Sequence, residues 1–81
     1  MFKREYSTKI NVEGDYAYKQ INSFVDKISA KKDISRGGVT YFLDNSFEGV
    51  VRLNRYKCSV ELTDKVEEWV FNSINELNKK Q

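Results

Sequence analysis

The sequence of 81 residues contains no histidine, no proline and a single cysteine, Cys58. Without histidine there can be no histidine-ligated metal site, no Ser-His-Asp triad and no Cys-His nucleophilic pair. One cysteine cannot form an intramolecular disulfide or a multi-cysteine zinc or iron–sulfur site. These absences remove most residue types on which small enzymes and metalloproteins depend. We therefore expect a protein that is not an enzyme and that carries no cofactor and no metal.

Long hydrophobic runs are also missing from the sequence. No stretch approaches the ~20 apolar residues that a membrane-spanning helix needs, and residues 1–5 lack the apolar run of a signal peptide. Asn45 and Asn72 are each followed directly by serine, so neither forms an Asn-x-Ser/Thr glycosylation acceptor. Together with the free thiol of Cys58, these features predict a protein of the reducing cytoplasm with no membrane partner.

The charge balance excludes few partners. The chain has 14 basic and 12 acidic residues, for a net charge of +2, and the two signs alternate through most of its length. A dedicated nucleic-acid-binding domain of this size usually has a larger basic excess on one face. The length predicts one domain over residues 1–81, with little room for a sheltered pocket.

The first third of the chain predicts a strand followed by a helix. Apolar and polar residues alternate over residues 2–12, which is typical of a half-buried antiparallel strand. Asp15 is a suitable helix N-cap. Apolar residues then recur at three- and four-residue spacing from Ala17 to Ile28, which predicts an amphipathic helix that ends near residues 31–32.

The middle of the chain predicts a three-stranded meander over residues 39–43, 47–53 and 56–62, with turns at 44–46 and 54–55. These loop lengths predict that Tyr41 pairs with Gly49 and that Val51 pairs with Cys58, and every such pair joins two residues of the apolar face. This register places the thiol of Cys58 on the buried face. Its predicted role is therefore structural.

A last helix is predicted from residues 63–64 to Leu77, and its apolar stripe consists of Val66, Trp69, Val70, Ile74 and Leu77. Asp64 would be its N-cap and Glu67 would complete a capping box, whereas residues 78–81 form a polar end that should fray. The predicted fold is α+β in the order β-α-β-β-β-α: a four-stranded antiparallel sheet with two helices packed on one face. The other face of that sheet is left uncovered.

The uncovered face is the predicted protein interface. Phe42 and Val50 point away from the helices, and the predicted register places Thr40 opposite Val50 and Phe42 opposite Glu48, so that Phe42 and Val50 are diagonal neighbours. An apolar patch flanked by charge is typical of a modest dimer or partner interface. The predicted interface residues are Thr40, Phe42, Glu48, Val50 and Arg52. The long first strand also offers an edge that another chain could pair with.

Nucleic-acid binding is the alternative. Basic and aromatic residues gather around the second predicted hairpin, where they could track a phosphate backbone and stack a base. This group consists of Arg52, Asn54, Arg55, Tyr56 and Lys57. The same residues could equally form a charged turn that discourages pairing with other strands. The order helix, three strands, helix is similar to double-stranded RNA-binding domains, but the acidic residues over 64–68 would repel phosphate where that family has lysines.

The chain also resembles the family of polyhydroxyalkanoic acid system proteins. The resemblance lies in the pattern of residues 49–53 (Gly-Val-Val-Arg-Leu), 58–62 (Cys-Ser-Val-Glu-Leu), 66–68 (Val-Glu-Glu) and 74–77 (Ile-Asn-Glu-Leu). It implies a strand, a helix, a glycine-led strand pair and a terminal helix, with a granule-associated or cytoplasmic role and no catalytic residues. The chain departs from the family in a shorter connection after Leu62 and in having no tryptophan before the meander.

The resulting functional hypothesis is a small protein-interaction module of the adaptor or inhibitor type. It would bind another protein, or a second copy of itself, through the uncovered sheet face or a strand edge. Small single domains without catalytic residue types often act in this way, including those that mobile elements encode.

Overall fold

The fold is a five-stranded antiparallel sheet with two helices. The computed structural model describes residues 3–44, 49–56 and 58–79, with the backbone alone at residues 3–6 and 64. The elements follow the chain as β1 (Lys3–Asn11), α1 (Asp15–Ile28), β2 (Lys31–Ser35), β3 (Gly38–Phe42), β4 (Gly49–Asn54), β5 (Ser59–Glu67) and α2 (Glu68–Lys79). The strand order is β1-β5-β4-β3-β2. The α+β class is confirmed, but the sheet has five strands instead of the predicted four.

The additional strand is β2, which occupies the residues where α1 was predicted to end. The helix stops at Ile28, because Ser29 adopts an extended conformation, and the chain then runs back along β3. All five residues of β2 are exposed, and the strand pairs with β3 alone. Its sequence, Lys-Lys-Asp-Ile-Ser, has no alternating apolar face, since a charged edge strand need not bury one side. The periodicity signal was therefore missing.

The strand registers differ from the prediction by even numbers of residues. Tyr41 pairs with Val51 instead of Gly49, and Val51 pairs with Leu62 instead of Cys58. The connection between β4 and β5 consequently spans residues 55–58, with Cys58 in a left-handed conformation at φ 46°. Side chains alternate with a period of two, so an even shift keeps every strand residue on its predicted face. Cys58 is the exception, because it lies in the turn and not on a strand.

The predicted start of the last helix is also wrong. Residues 63–67 continue β5, so α2 begins at Glu68, and Asp64 does not precede a helix. All nine residues of β5 pair with β1, from Lys3 opposite Glu67 to Asn11 opposite Ser59. Val66 is fully buried as a strand residue. The apolar positions that suggested a helical stripe thus belong to two elements.

Both helices pack on the same face of the sheet. The buried cluster combines one side of each helix with the inward side chains of the three central strands β3, β4 and β5. Its members are Val12, Ala17, Ile21, Val25, Tyr41, Val51, Leu53, Val60, Leu62, Val66, Val70 and Ile74. The predicted layer arrangement is therefore confirmed. At Tyr41, the hydroxyl group donates a hydrogen bond to Asn22 Oδ1 on α1, which links the sheet to that helix.

The end of α2 is attached to the end of β1. The Asn78 side chain donates a hydrogen bond to the carbonyl oxygen of Asn11 at 2.9 Å and accepts one from the backbone N–H of Glu13 at 3.0 Å. The predicted fraying from residue 78 therefore excludes Asn78 itself, and residues 80 and 81 lie outside the described residues. The single side chain of Asn78 joins the first connection of the fold to its last helix.

Ser59 is the one polar residue among the fully buried ones in the part of the chain that the structure describes, and its Oγ atom has no hydrogen-bond partner. Burying a hydroxyl group without a partner costs free energy. We expect Ser59→Ala to raise the free energy of unfolding by about 1 kcal/mol, measured by urea denaturation. Ser29→Ala is the matched control, because Ser29 Oγ donates to the Asp26 carbonyl at 3.0 Å. A loss of stability in Ser59→Ala equal to that of the control would contradict the prediction.

Candidate functional site

The candidate site is the open face, which we define as the side of the sheet opposite the two helices. Paired residues of antiparallel strands project on the same face. The registers therefore assign Thr40, Phe42, Val50 and Arg52 to the open face, where the sequence placed them. Glu48, the fifth predicted interface residue, lies outside the described residues.

Phe42 and Val50 form a direct cross-strand pair at the centre of the open face. The sequence predicted them as diagonal neighbours, with Thr40 opposite Val50 and Phe42 opposite Glu48. In the structure, Thr40 faces Arg52 instead. Direct pairing brings the Cβ atoms to about 5 Å, and both side chains are half-buried. The apolar contact is therefore tighter than the sequence implied.

The pair continues across all five strands as a row with no acidic residue, which we call the central row. The registers place Lys31 beside Phe42, Thr63 beside Val50 and Ser7 beside Thr63. Sequence reasoning missed Lys31 and Thr63, since it assigned the first to the end of a helix and the second to the start of one. The length of β1 could have signalled Thr63, because a strand of nine residues can pair with more than the seven residues 56–62 that the sequence predicted.

A second row, the charged row, lies two residues along each strand from the central row. It consists of Asp33, Thr40, Arg52, Glu61 and Lys9. On the three strands β4, β5 and β1 the charges read positive, negative, positive. Opposite charges side by side on neighbouring strands stabilise the pairing, by a few tenths of a kcal/mol for each pair. The open face thus has ordered charges but no strong net potential.

The two edges of the sheet differ in length and character. β2 is short and three of its five residues are charged, which discourages pairing with a further strand. β1 has nine residues and, among the described strands, pairs with β5 alone. The structure therefore leaves β1 as the longer edge, in agreement with the prediction that the first strand offers one.

The residues of the nucleic-acid alternative are divided between two surfaces. Arg52 and Asn54 lie on the open face, whereas Arg55 and Tyr56 are exposed in the turn after β4. Lys57 lies outside the described residues. The backbone N–H of Arg55 donates to the Gly37 carbonyl at 2.8 Å, so this turn packs against the turn between β2 and β3. Among the four described members of the predicted group, two therefore lie on a strand of the sheet and two in the turn that follows it.

Arg55 instead lines an open concavity beside α1, with a volume of about 380 Å³. The other lining residues are Asp15, Tyr18, Lys19, Asn22 and Cys58. Burial raises the pKa of Tyr18, and the nearby Arg55 guanidinium partly offsets that increase. Burial also raises the pKa of Tyr41, and the charge of Asp26 adds to it. Both phenols therefore stay protonated at neutral pH, so neither is suited to act as a general base there.

A second, smaller concavity lies at the start of α2 and has a volume of about 150 Å³. It is lined by Ile28, Leu43, Asp44, Lys65, Glu67, Trp69 and Val70. The Trp69 indole N–H donates to the Glu67 carboxylate, and its ring meets Phe24 edge to face at 6.0 Å between centroids. This geometry holds the exposed indole in a fixed orientation against α1. The helical stripe predicted Trp69 as a core residue, whereas its side chain is 38% exposed.

The sole cysteine does not lie on the sheet. The Cys58 thiol is half-buried in the turn, and its Sγ lies 3.7 Å from the Arg55 carbonyl oxygen. Among the described side chains, no group of three acidic or cysteine residues is arranged to hold a metal ion. Within the same part of the chain, neither helix has the length and hydropathy needed to cross a membrane.

Comparison of the chain with protein-family models, curated proteins and solved structures finds no match. The resemblance to polyhydroxyalkanoic acid system proteins therefore stays a prediction.

Proposed function

We propose that this protein is a non-enzymatic interaction module that binds its partner through the open face of the sheet. The observation that supports this most is the Phe42–Val50 pair. It lies at the centre of the one sheet face that neither helix covers, and apolar side chains at the centre of a charged surface are typical of protein interfaces.

The chemistry of the side chains supports a binding role over a catalytic one. The sequence has no histidine, and the two tyrosines with shifted pKa values are shifted away from neutral pH. An adaptor or inhibitor needs only a surface. A free thiol is stable in a reducing compartment, so we place the protein in the cytoplasm.

Nucleic-acid binding is the weaker candidate. Its four described residues are split between the open face and the turn after β4, and Arg52 stands opposite the acidic Glu61. A carboxylate beside a phosphate-binding guanidinium opposes the binding of phosphate. No observation of the structure adds to this alternative.

The open face is tested by Phe42→Lys. Replacing a central aromatic residue by a charge should weaken binding at least about 10-fold, because lysine carries its charge into the area that the partner must desolvate. Tyr16→Lys is the matched control, since Tyr16 is an aromatic side chain on α1 with 66% of its surface exposed. Binding is measured as self-association by light scattering and as capture of proteins from the source cell lysate.

Circular dichroism melts of both variants establish that they fold. If Phe42→Lys changes neither self-association nor the captured proteins, the open face is not the interface and the proposed function is wrong. Loss of the same partner in both variants would indicate general destabilisation and would contradict the proposal equally.

A further inference from the structure

The charges of β5 on the open face invert about the central row. Along β5, the residues Glu61, Thr63 and Lys65 project on the open face at successive alternate positions. Glu61 and Lys65 therefore lie at equal distances of about 7 Å on either side of Thr63. On the next strand, β1, Lys9 lies in register with Glu61 and carries the opposite charge.

Such a pattern is complementary to itself. A half-turn about an axis that lies in the open face and follows the central row exchanges the two sides of that row. It brings Glu61 over Lys65 of a second copy, and Lys65 over Glu61. Both positions then meet the opposite charge.

We infer that the partner of the open face is a second copy of this chain, packed face to face about a two-fold axis along the central row. This inference rests on the proposed function, because it requires the open face to be an interface. Phe42, Val50 and Thr63 lie near the axis, so each contacts its own counterpart, as residues on the two-fold axis of an isologous interface do. The apolar pair forms the centre, and the charges at positions 61 and 65 fix the orientation.

The edge strand β2 fits this arrangement least well. Lys31 belongs to the central row and would face its own copy. The right-handed twist of the sheet turns the outer strands away from a flat contact, so the interface is centred on β4 and β5. Face-to-face packing of two sheets at about 10 Å is the geometry of β-sandwiches.

The size of the face predicts a weak dimer. Five strands at a spacing of about 4.8 Å span roughly 20 Å, and the shared rows extend about 15–20 Å along the strands. That projected area is below the ~800 Å² for each partner that a standard stable interface buries. We therefore expect a dissociation constant of about 10–1000 µM, which sets the concentrations for the experiment.

The test uses two reciprocal charge reversals, Glu61→Lys and Lys65→Glu, studied by analytical ultracentrifugation from 10 µM to 1 mM. By symmetry, each variant places two like-charge contacts in its own dimer, so each should self-associate at least about 10-fold more weakly than the wild type. An equimolar mixture should recover wild-type association. In the mixed dimer, position 61 of the Glu61→Lys copy is positive and faces the negative position 65 of the Lys65→Glu copy. The second contact, between Lys65 of the first copy and Glu61 of the second, also joins opposite charges.

The mixture also separates association from folding. Reversal at Glu61 puts a third positive charge between Arg52 and Lys9 on the neighbouring strands, and this lowers the stability of each monomer. Mixing cannot repair that defect, so recovery in the mixture reports on the interface alone. Thr63→Arg is a further variant that keeps Glu61 and Lys65 unchanged. It should weaken the dimer because it puts an arginine from each copy near the axis. Lys27→Glu, on the exposed side of α1, is the control and should change nothing.

A wild type that remains monomeric at 1 mM would overturn this inference, whereas the proposed function would still be judged by the capture experiment with Phe42→Lys. A dimer that survives both single reversals, or singles that weaken it without recovery in the mixture, would place the contact elsewhere. The free edge of β1 is the first such place. Either result would equally overturn the inference.

Discussion

Replacing Gly38 by alanine should cost about 4 kcal/mol or more of folding free energy. Gly38 opens β3 with a φ of +151°, a backbone conformation that L side chains rarely adopt, and a Cβ atom built there would lie 1.8 Å from the Leu53 carbonyl oxygen. That oxygen belongs to the backbone of β4, so the clash can be relieved only by moving a central strand. A domain of this size has a total stability of roughly 4–12 kcal/mol, so the variant should be largely unfolded or close to it.

Gly37→Ala is the matched control for this experiment. It changes the adjacent glycine in the same turn, and a Cβ atom at Gly37 would meet nothing within 4 Å. Its backbone carbonyl can still accept the hydrogen bond from Arg55. Alanine restricts the unfolded chain more than glycine does, so this variant should be unchanged or more stable by up to about 1 kcal/mol.

Thermal unfolding by circular dichroism measures both variants. At this size each kcal/mol corresponds to about 4–8 °C in melting temperature, so the two glycine variants should differ by at least about 15 °C. Equal melting temperatures would mean that β3 and β4 do not approach as closely as the structure shows. The register between them would then have to be revised.

The second large effect concerns where β5 ends and α2 begins. Proline has no backbone N–H and a fixed φ, so it is excluded from central strands but favoured at the first position of a helix. Lys65 lies inside β5 and pairs with residue 5 of β1, whereas Glu68 is the first residue of α2. Lys65→Pro should therefore cost at least about 3 kcal/mol, and Glu68→Pro should be tolerated within about 1 kcal/mol.

The sequence-based prediction gives the opposite outcome for the same two variants. With Asp64 as the N-cap, residue 65 would be the first helical position, where proline is accepted. Residue 68 would then lie inside the helix, where proline breaks a hydrogen bond and clashes with the preceding turn. Urea denaturation of the two variants decides between the alternatives. A stable Lys65→Pro with an unfolded Glu68→Pro would show that the helix begins early and that β5 is short.

Several parts of the fold could be predicted from the sequence because they carry a strong periodic signal. The apolar positions of α1 and the alternation of β3 and β4 were sufficient to identify the buried face. They therefore also identified Phe42 and Val50 as residues of the opposite face. Assignment to a face depends only on the parity of the register, and the parity was right even where the pairing was not.

The remaining parts could not be predicted because their signals are weak or ambiguous. β2 buries none of its residues, so no local alternation of apolar and polar residues indicates a strand there. In residues 63–67, Val66 fits both a helical stripe and a strand, and only the pairing with β1 decides between them. The exact register depends on how the turns close. Cys58 has a positive φ, and turn rules predict that conformation for glycine or asparagine but not for cysteine.

The pairing of β1 with β5 delays the completion of the sheet while the chain is being synthesised. Among the described strands, β1 is synthesised before the others and pairs with β5, which is the last of them, so β1 must wait until β5 has emerged. The hairpins of β2, β3 and β4 need only local partners and can assemble earlier, because short loops close at a lower entropic cost. During that interval an alternating strand with an apolar side is unprotected, and this nascent chain is the form of the protein most in need of a chaperone.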